Sequence, residues 1–416
     1  MNVRLRTNWA GNVAFAARDF YRPSSLSELQ ALVARSARIR VLATGHSFND
    51  LADSPGAQVS LAGLPPEVSV DSAASVARVA AGLSYAELAV RLDARGFALR
   101  NLASLPHISV SGATATATHG SGTANQNLAA AVVGLSLVTA DGDLMELDRA
   151  DGAVVHLGAL GVVSSLTLAL VPAFEVSQRV YENLPLEVLD DRFTDVMTSA
   201  YSVSLFTDWR APRLTQVWIK RRLDVPASSV PEAPWFTATP ATSPRHPVPG
   251  ASPDACTAQL GIPGRWYDRL PHFRPEFKPS AGDELQSEYL LPVAHAVPAL
   301  HALNQIRDRL APVLRICEIR AVAADQLWLS PCYRQDSVAF HFTWIADAAA
   351  VRPVVMLAER QLAPFGQRPH WGKVFTTQRE DLRARYERLP DFLDLMRRFD
   401  PSGKFRNAYT ARSLGL

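Results

Sequence analysis

Apolar spacing divides the chain into short strands and helices. Leu26, Leu29, Leu32 and Val33 recur at helical spacing behind Ser25-Leu-Ser-Glu28, a capping-box sequence. Val41-Leu42 reads as a buried strand after that helix, and Val76 to Ala80 as another. Ser84-Tyr-Ala-Glu87 is a second capping box, opening a helix that stops at Gly96, a position suited to left-handed backbone. Val132 to Val138 and Leu144 to Leu147 predict a hairpin across Asp141-Gly142, and Val162 to Leu170 a further apolar strand. From Val176 onward strands of mixed polarity alternate with helices, as in a sheet with one face open to a ligand. In Arg315 to Val322 a period of two puts Glu318 and Arg320 on one face and Ile319 and Ala321 on the other. Val338 to Ile345 likewise sets His341 and Thr343 opposite Phe340, Phe342 and Trp344, and Leu285 to Leu290 repeats the pattern more weakly with Gln286 and Glu288. Asp224 to Pro253 holds eight prolines with little periodicity and reads as a surface excursion. No internal repeat or coiled-coil heptad is found.

Two stretches break this pattern with small polar residues. Val41-Leu-Ala-Thr44-Gly45-His46-Ser47-Phe-Asn49 ends an apolar run in a glycine turn carrying a histidine. It is either a polar loop with a surface histidine or a ligand-binding strand end, where glycine lets the backbone approach closely. Ser104-Leu-Pro-His107 through Ser111-Gly112-Ala-Thr114-Ala-Thr116-Ala-Thr118-His119-Gly120-Ser121-Gly122 offers amides and hydroxyls but little apolar volume. It is either a small-residue loop between strands or a cradle for pyrophosphate. It matches neither GxGxxG nor GxxxxGK[ST], which disfavours a Rossmann site and a P-loop.

Composition narrows the function classes. A chain of 416 residues, 48% apolar, is long enough for two cores. The net charge of +2, with no basic run carrying interleaved aromatics, argues against nucleic-acid binding. Met1 to Pro23 contains Arg4, Arg6, Arg18 and Asp19 without a continuous apolar stretch, so neither signal peptide nor membrane anchor is expected and the protein is placed in the cytoplasm. Cys256, Cys317 and Cys332 are too few and too far apart for a zinc site and are expected as free thiols; HExxH is absent and no metal is expected. Only Lys220, Lys278, Lys373 and Lys404 are lysine among 42 basic residues, leaving 42 − 4 = 38 arginines. That usage suits a high-GC genome or a heat-adapted protein alike. In such a chain Lys373, flanked by Trp371, Gly372, Val374 and Phe375, is either a chance surface lysine or a buried ammonium whose pKa burial lowers.

Taken together, the Gly-His-Ser turn and the Ser-Gly segment resemble the flavin domain of the vanillyl-alcohol oxidase type of flavoproteins, in particular the bacterial alditol (xylitol) oxidases. The resemblance runs along essentially the whole chain, including Thr7-Asn-Trp-Ala-Gly-Asn12, Cys317-Glu-Ile-Arg320 and Pro369-His-Trp-Gly-Lys-Val-Phe375. It implies an α+β, two-domain flavoprotein of the PCMH-type FAD-binding kind: an FAD-binding domain over 1–172, a mixed-sheet substrate domain over 173–375, and a segment over 376–416 that returns to the first. It implies FAD bonded covalently through His46, by a single link because Ser104 stands where doubly linked members carry cysteine. By the same resemblance Val41, Leu42, Ala43, Thr44, Gly45, His46, Ser47, Ser104, Ser111, Gly112, Thr114, Thr118, His119, Gly120, Ser121 and Val163 hold the cofactor. Ser104, Gln286, Glu318, Arg320, Thr343 and Lys373 then bind the substrate, while Lys373, Arg320, His341 and Glu318 carry catalysis.

The activity so implied is oxidation of the terminal hydroxyl of a linear polyol such as xylitol or sorbitol, with dioxygen reduced to hydrogen peroxide. A neutral polyol is held by several hydrogen bonds, which this mixture of side chains supplies. An aldonolactone oxidase or dehydrogenase is the nearest alternative, since those enzymes share the flavin domain and a similar His-Trp-Gly-Lys segment. A flavin-binding protein without turnover would be expected to lose Glu318, Arg320 and Lys373, which are all present. The partners expected are a small polyol and dioxygen, with no nucleic acid or membrane, and the protein is expected as a monomer.

Overall fold

The computed structural model describes residues 6–148, 151–225, 235–277 and 283–415. The chain opens with β1 (Asp19–Tyr21), α1 (Leu26–Arg35), β2 (Ile39–Val41) and β3 (Ala57–Val59), the strands forming a parallel sheet in the order β1-β3-β2. Next come β4 (Val68–Asp71), β5 (Val76–Ala80), α2 (Tyr85–Asp93), β6 (Phe97–Ala98), α3 (Val110–Ala115), β7 (Val132–Val138), β8 (Leu144–Asp148), α4 (Asp151–Val154), β9 (Val162–Ala169) and β10 (Val171–Pro172). Five of these strands make an antiparallel sheet in the order β4-β5-β9-β7-β8, and β10 pairs with β6.

The expected elements form, with differences at their ends. The hairpin β7–β8 turns at Gly142, φ +90°, and Gly96 takes φ +78°. Ser84 and Glu87 complete a reciprocal capping box. At α1 only half of the box forms: Ser25 caps Glu28, but the Glu28 carboxylate bonds the amide (2.8 Å) and hydroxyl (3.0 Å) of Ser24, one residue earlier. The small-residue segment is not wholly loop, because Ser109 caps Gly112 (3.2 Å) and nucleates the six-residue α3.

The remaining strands are β11 (Glu175–Pro185), β12 (Ser202–Thr207), β13 (Arg213–Arg222), β14 (Thr239–Pro240), β15 (Gly264–Arg265), β16 (Glu284–Pro292), β17 (Leu314–Val322), β18 (Ser337–Ile345) and β19 (Arg368–Pro369). All join one antiparallel sheet, in the order β14-β11-β13-β12-β17-β18-β16-β19 with β15 beside β11. One face carries α5 (Val188–Thr198), α6 (Ala296–Gln305) and α8 (Ala348–Leu362); α7 (Arg307–Leu310) follows α6. Side chains of alternate residues, among them Leu205, Ile319, Phe340, Phe342 and Trp344, bury against these helices. Phe342 and Trp344 stack at 5.0 Å. The period of two therefore turns the intervening polar residues to the other face. Of the proline-rich excursion, residues 226–234 lie outside the described residues; its remainder is not purely superficial, since Trp235 is buried and β14 extends the sheet.

The chain ends with α9 (Arg379–Arg385), α10 (Leu389–Phe399) and α11 (Ala408–Leu414), whose Leu382, Phe392, Met396, Tyr409 and Leu414 share a core with Leu29, Val59 and Val79. Lys404 Nζ donates to the carbonyls of Val33 (2.7 Å), Ala34 (3.0 Å) and Ala140 (2.5 Å), and Asn407 Nδ2 to those of Leu51 and Asp53. All three cysteines are buried free thiols. Among the described residues no helix is long and apolar enough to cross a membrane, and no group of three His, Cys, Asp or Glu is placed to hold a metal.

Candidate functional site

A deep cleft runs between the polar face of the large sheet and the small-residue wall of the N-terminal part. Its floor follows from strand register. Glu318 of β17 lies opposite His341 of β18, which lies opposite Glu288 of β16, so three strands place three titratable groups in one row. The next row toward the start of β17 holds Ile316, Thr343 and Gln286, and the row on the other side begins with Arg320. Lys373 enters from the turn after β19, which the sheet and the N-terminal part hold together. Val374 N donates to Gln286 O (2.8 Å), Phe48 N to Gly372 O (2.7 Å), and Asn49 Nδ2 to the carbonyls of Trp371 (2.8 Å) and Lys373 (2.9 Å). The His46 turn and the His-Trp-Gly-Lys segment are thus one structure.

Two buried carboxylates organise the charges. Glu288 accepts from Lys373 Nζ (2.7 Å) and Arg320 Nη2 (2.6 Å), with His119 Nε2 at 3.1 Å. Glu318 meets His272 Nε2 at 2.7 Å, while Arg320 Nε and His341 Nδ1 stand 3.7 and 3.6 Å from its other oxygen. Burial alone would push both carboxyls up, but Lys373 and Arg320 around Glu288, and Arg320 and His272 around Glu318, outweigh it and hold both well below the usual range. Burial lowers Lys373, with the charge of Glu288 opposing. His341 is drawn down to about 4, first by burial and then by Lys373, so it is a neutral ring at physiological pH. Both its nitrogens, and Arg320 Nε, are buried without a hydrogen-bond partner among the described residues. Orphaned buried polar atoms are costly, and here they face a cleft that a hydroxylated ligand would fill.

The other wall fits a flavin dinucleotide. Gly45, at φ +70°, turns the backbone so that Thr44, Gly45 and Ser47 present amides that meet no acceptor among the described residues. Opposite them Ser111, Gly112, Ala113 and Ala115 leave the wall shallow, and His46 stacks on Trp9 at 5.3 Å. Amides, hydroxyls and small side chains are the donor set a pyrophosphate needs. Val41, Leu42, Ala43, Thr118 and Val163 line the same wall, and His119 and Ser104 stand where it meets the sheet.

Of the residues expected at the cofactor, Thr114, Gly120 and Ser121 do not line the cleft. Thr114 Oγ1 turns back to the Ser111 carbonyl (3.1 Å) within α3, Ser121 Oγ donates to Val203 O, and Gly120 packs against the backbone of Leu102. The helical turn of α3 sends Thr114 and Thr116 to different surroundings. Sequence reasoning passed over Glu288, His272 and His370 as site residues. Glu288 carried a signal, the alternation of β16; His370 lay inside the His-Trp-Gly-Lys segment; His272 sits in an irregular stretch and carried none.

Comparison with known proteins agrees with this division of labour. Residues 19–148 match the FAD binding domain family and residues 283–413 the D-arabinono-1,4-lactone oxidase family. The chain is 54% identical over 410 residues to an alditol oxidase from a Streptomyces species, covering 97% of each chain. It is 29% identical to an L-gulono-1,4-lactone dehydrogenase of Mycobacterium tuberculosis, over 98% of this chain and 99% of that one. The cholesterol oxidase of B. sterolicum shares the fold, with a TM-score of 0.78 at 14% identity over 99% of this chain and 96% of that one.

Proposed function

From the premise that this chain belongs to the alditol oxidase family of FAD-dependent oxidoreductases, we propose that it oxidises the terminal primary alcohol of linear polyols such as xylitol and sorbitol to the aldehyde, reducing dioxygen to hydrogen peroxide. The observation that carries this reading is the balance of the cleft floor, where Lys373 and Arg320 are matched by Glu288 and Glu318. Such a floor offers many donors and acceptors but no surplus charge, which suits a neutral ligand dense in hydroxyls. The redox chemistry, hydride acceptance from the terminal carbon and transfer of its electrons to dioxygen, would be supplied by FAD held on the small-residue wall.

The chain's own groups bind and prepare the alcohol. Lys373 and Arg320 stabilise negative charge developing on the terminal oxygen, and neutral His341 offers a nitrogen to its proton. Glu318, Ser104, Thr343 and Gln286 fix the neighbouring hydroxyls. We further infer that His46 bonds covalently to FAD, supported by its place in the turn at Gly45 and its stacking on Trp9. The flavin then rests on residues 1–172, with residues 173–375 over the substrate and 376–416 closing the first domain. The protein so read is a cytoplasmic monomer whose partners are a small polyol and dioxygen.

The test compares specificity constants in a peroxidase-coupled assay. Xylitol or sorbitol is expected to exceed every aldonolactone. The match of residues 283–413 to the lactone oxidase family makes the lactones the decisive competitors, and a preferred lactone would overturn the reading. Acid precipitation is expected to leave the flavin absorbance in the pellet, and His46→Ala to release it to the supernatant.

A further inference from the structure

Lys220 is buried in β13, 1% exposed, opposite Gln178 of β11 and Ser202 of β12. Its partners are three acceptors: the carbonyls of Leu270 (2.5 Å) and Pro271 (3.1 Å), and His272 Nδ1 (3.1 Å). An ammonium has only protons to give, so Nδ1 accepts. A neutral imidazole then carries its proton on Nε2, and that nitrogen stands 2.7 Å from Glu318 Oε1. Burial, followed by the charge of Lys220, draws the His272 ring down to about 4, which keeps it neutral. Trp218 (5.1 Å, 68°) and Phe206 (5.7 Å, 63°) hold the ring edge-on, and the His272 amide is bonded to the carbonyl of Ser104 (3.1 Å).

We propose that Lys220 and His272 form a positioning relay for the polyol site, in which the ammonium fixes the tautomer of His272 and His272 in turn aims the Glu318 carboxylate at the substrate. Glu318 Oε1 is taken by His272, whereas the nearest cationic or ring nitrogens to Oε2 are at 3.6 and 3.7 Å, too long for good hydrogen bonds. Oε2 is therefore the acceptor left for a polyol hydroxyl. Without the ammonium, Nδ1–H can turn toward the freed carbonyls, and the Nε2 lone pair then meets the carboxylate and pushes it out of line. The relay rests on the polyol reading of the cleft, but its tautomer can be read without any substrate.

Burial draws Lys220 down to about 7 against the opposing charge of Glu318, so the measurement is made at pH 6, where the ammonium prevails. In holoprotein labelled with 15N-histidine, the His272 resonance is identified by its loss in His272→Gln. It is expected to show the Nε2–H tautomer in the wild type and in Lys220→Arg, and to shift toward Nδ1–H in Lys220→Met. A wild-type proton on Nδ1, which needs no variant to fold, overturns the relay, as does an unchanged tautomer in Lys220→Met. In anaerobic flavin reduction by xylitol, Lys220→Met is expected to raise the polyol dissociation constant about tenfold with a smaller effect on the limiting rate. Introduced into His272→Leu, the same change is expected to add less than twofold, because its route is already cut; full additivity overturns the relay. A wild type that bleaches with no polyol sinks the proposed function, while the tautomer still decides the relay.

Discussion

Glu288 sets the terms on which Lys373 and Arg320 share one small volume. Each cation reaches a separate oxygen of the same carboxylate, so neither is left buried and uncompensated. Lys373→Met removes one charge while keeping an apolar stem, and is expected to slow flavin reduction by about two to four orders of magnitude. FAD content should stay near wild type; stopped-flow bleaching without oxygen measures the rate, and a value within a few-fold of wild type would exclude Lys373 from the chemical step. Glu288→Gln acts differently, because it strands Lys373 and leaves Arg320 with Glu318 alone. A loss of about 3–5 kcal/mol is expected from the urea midpoint, the usual cost of breaking a buried pair from one side. The sign of its pH effect follows from the cause: Glu288 raises Lys373, so its removal lowers the lysine further. The alkaline limb of the rate profile, where the ammonium is lost, should then move to lower pH.

At the scale of elements, what the sequence revealed is what periodicity governs. The alternation in β17 and β18 gave the facing of Glu318, Arg320, His341 and Thr343, because burying Ile319, Phe340 and Phe342 under α6 and α8 leaves the other face no choice. Which residues meet across strands needs the register, and that is why Glu288 stayed a minor polar position until β16 was seen beside β18. His272 depends on an irregular segment and two aromatic rings, for which no sequence period exists. The flavin wall was legible from residue size and a glycine turn, yet α3 was hidden, since six small residues show no apolar stripe. Capping was legible to within one residue. Ser84→Ala cuts a complete box and is expected to cost about 1 kcal/mol in denaturant unfolding. Glu87→Ala should cost more than Glu28→Ala, because Glu87 bonds the cap residue itself and Glu28 bonds exposed Ser24.

For the whole molecule, buried histidines tie stability to pH. Burial draws His156, His272 and His341 down to about 4 each, below the ordinary value of an unfolded chain. As pH falls from about 6.5 to about 4 the unfolded chain takes up protons that the native one refuses, so the histidines' share of stability is lost across that window and is level above it. Each ring contributes up to about 3 kcal/mol. The midpoint of thermal unfolding should drop through this range, and His156→Gln, which can still accept from the Gly158 amide, should flatten the drop by about one proton. The three C-terminal helices bear on the molecule in another way. Their Leu382, Phe392, Tyr409 and Leu414 complete the same core as Leu29, Val59 and Leu88, although a ribosome makes them only after the entire large sheet. The part of the chain synthesised first must therefore wait, with its apolar faces uncovered, for a segment made much later. A fragment of residues 1–172 should then fail to unfold cooperatively or to bind FAD, and supplying residues 376–416 as a separate peptide should restore both.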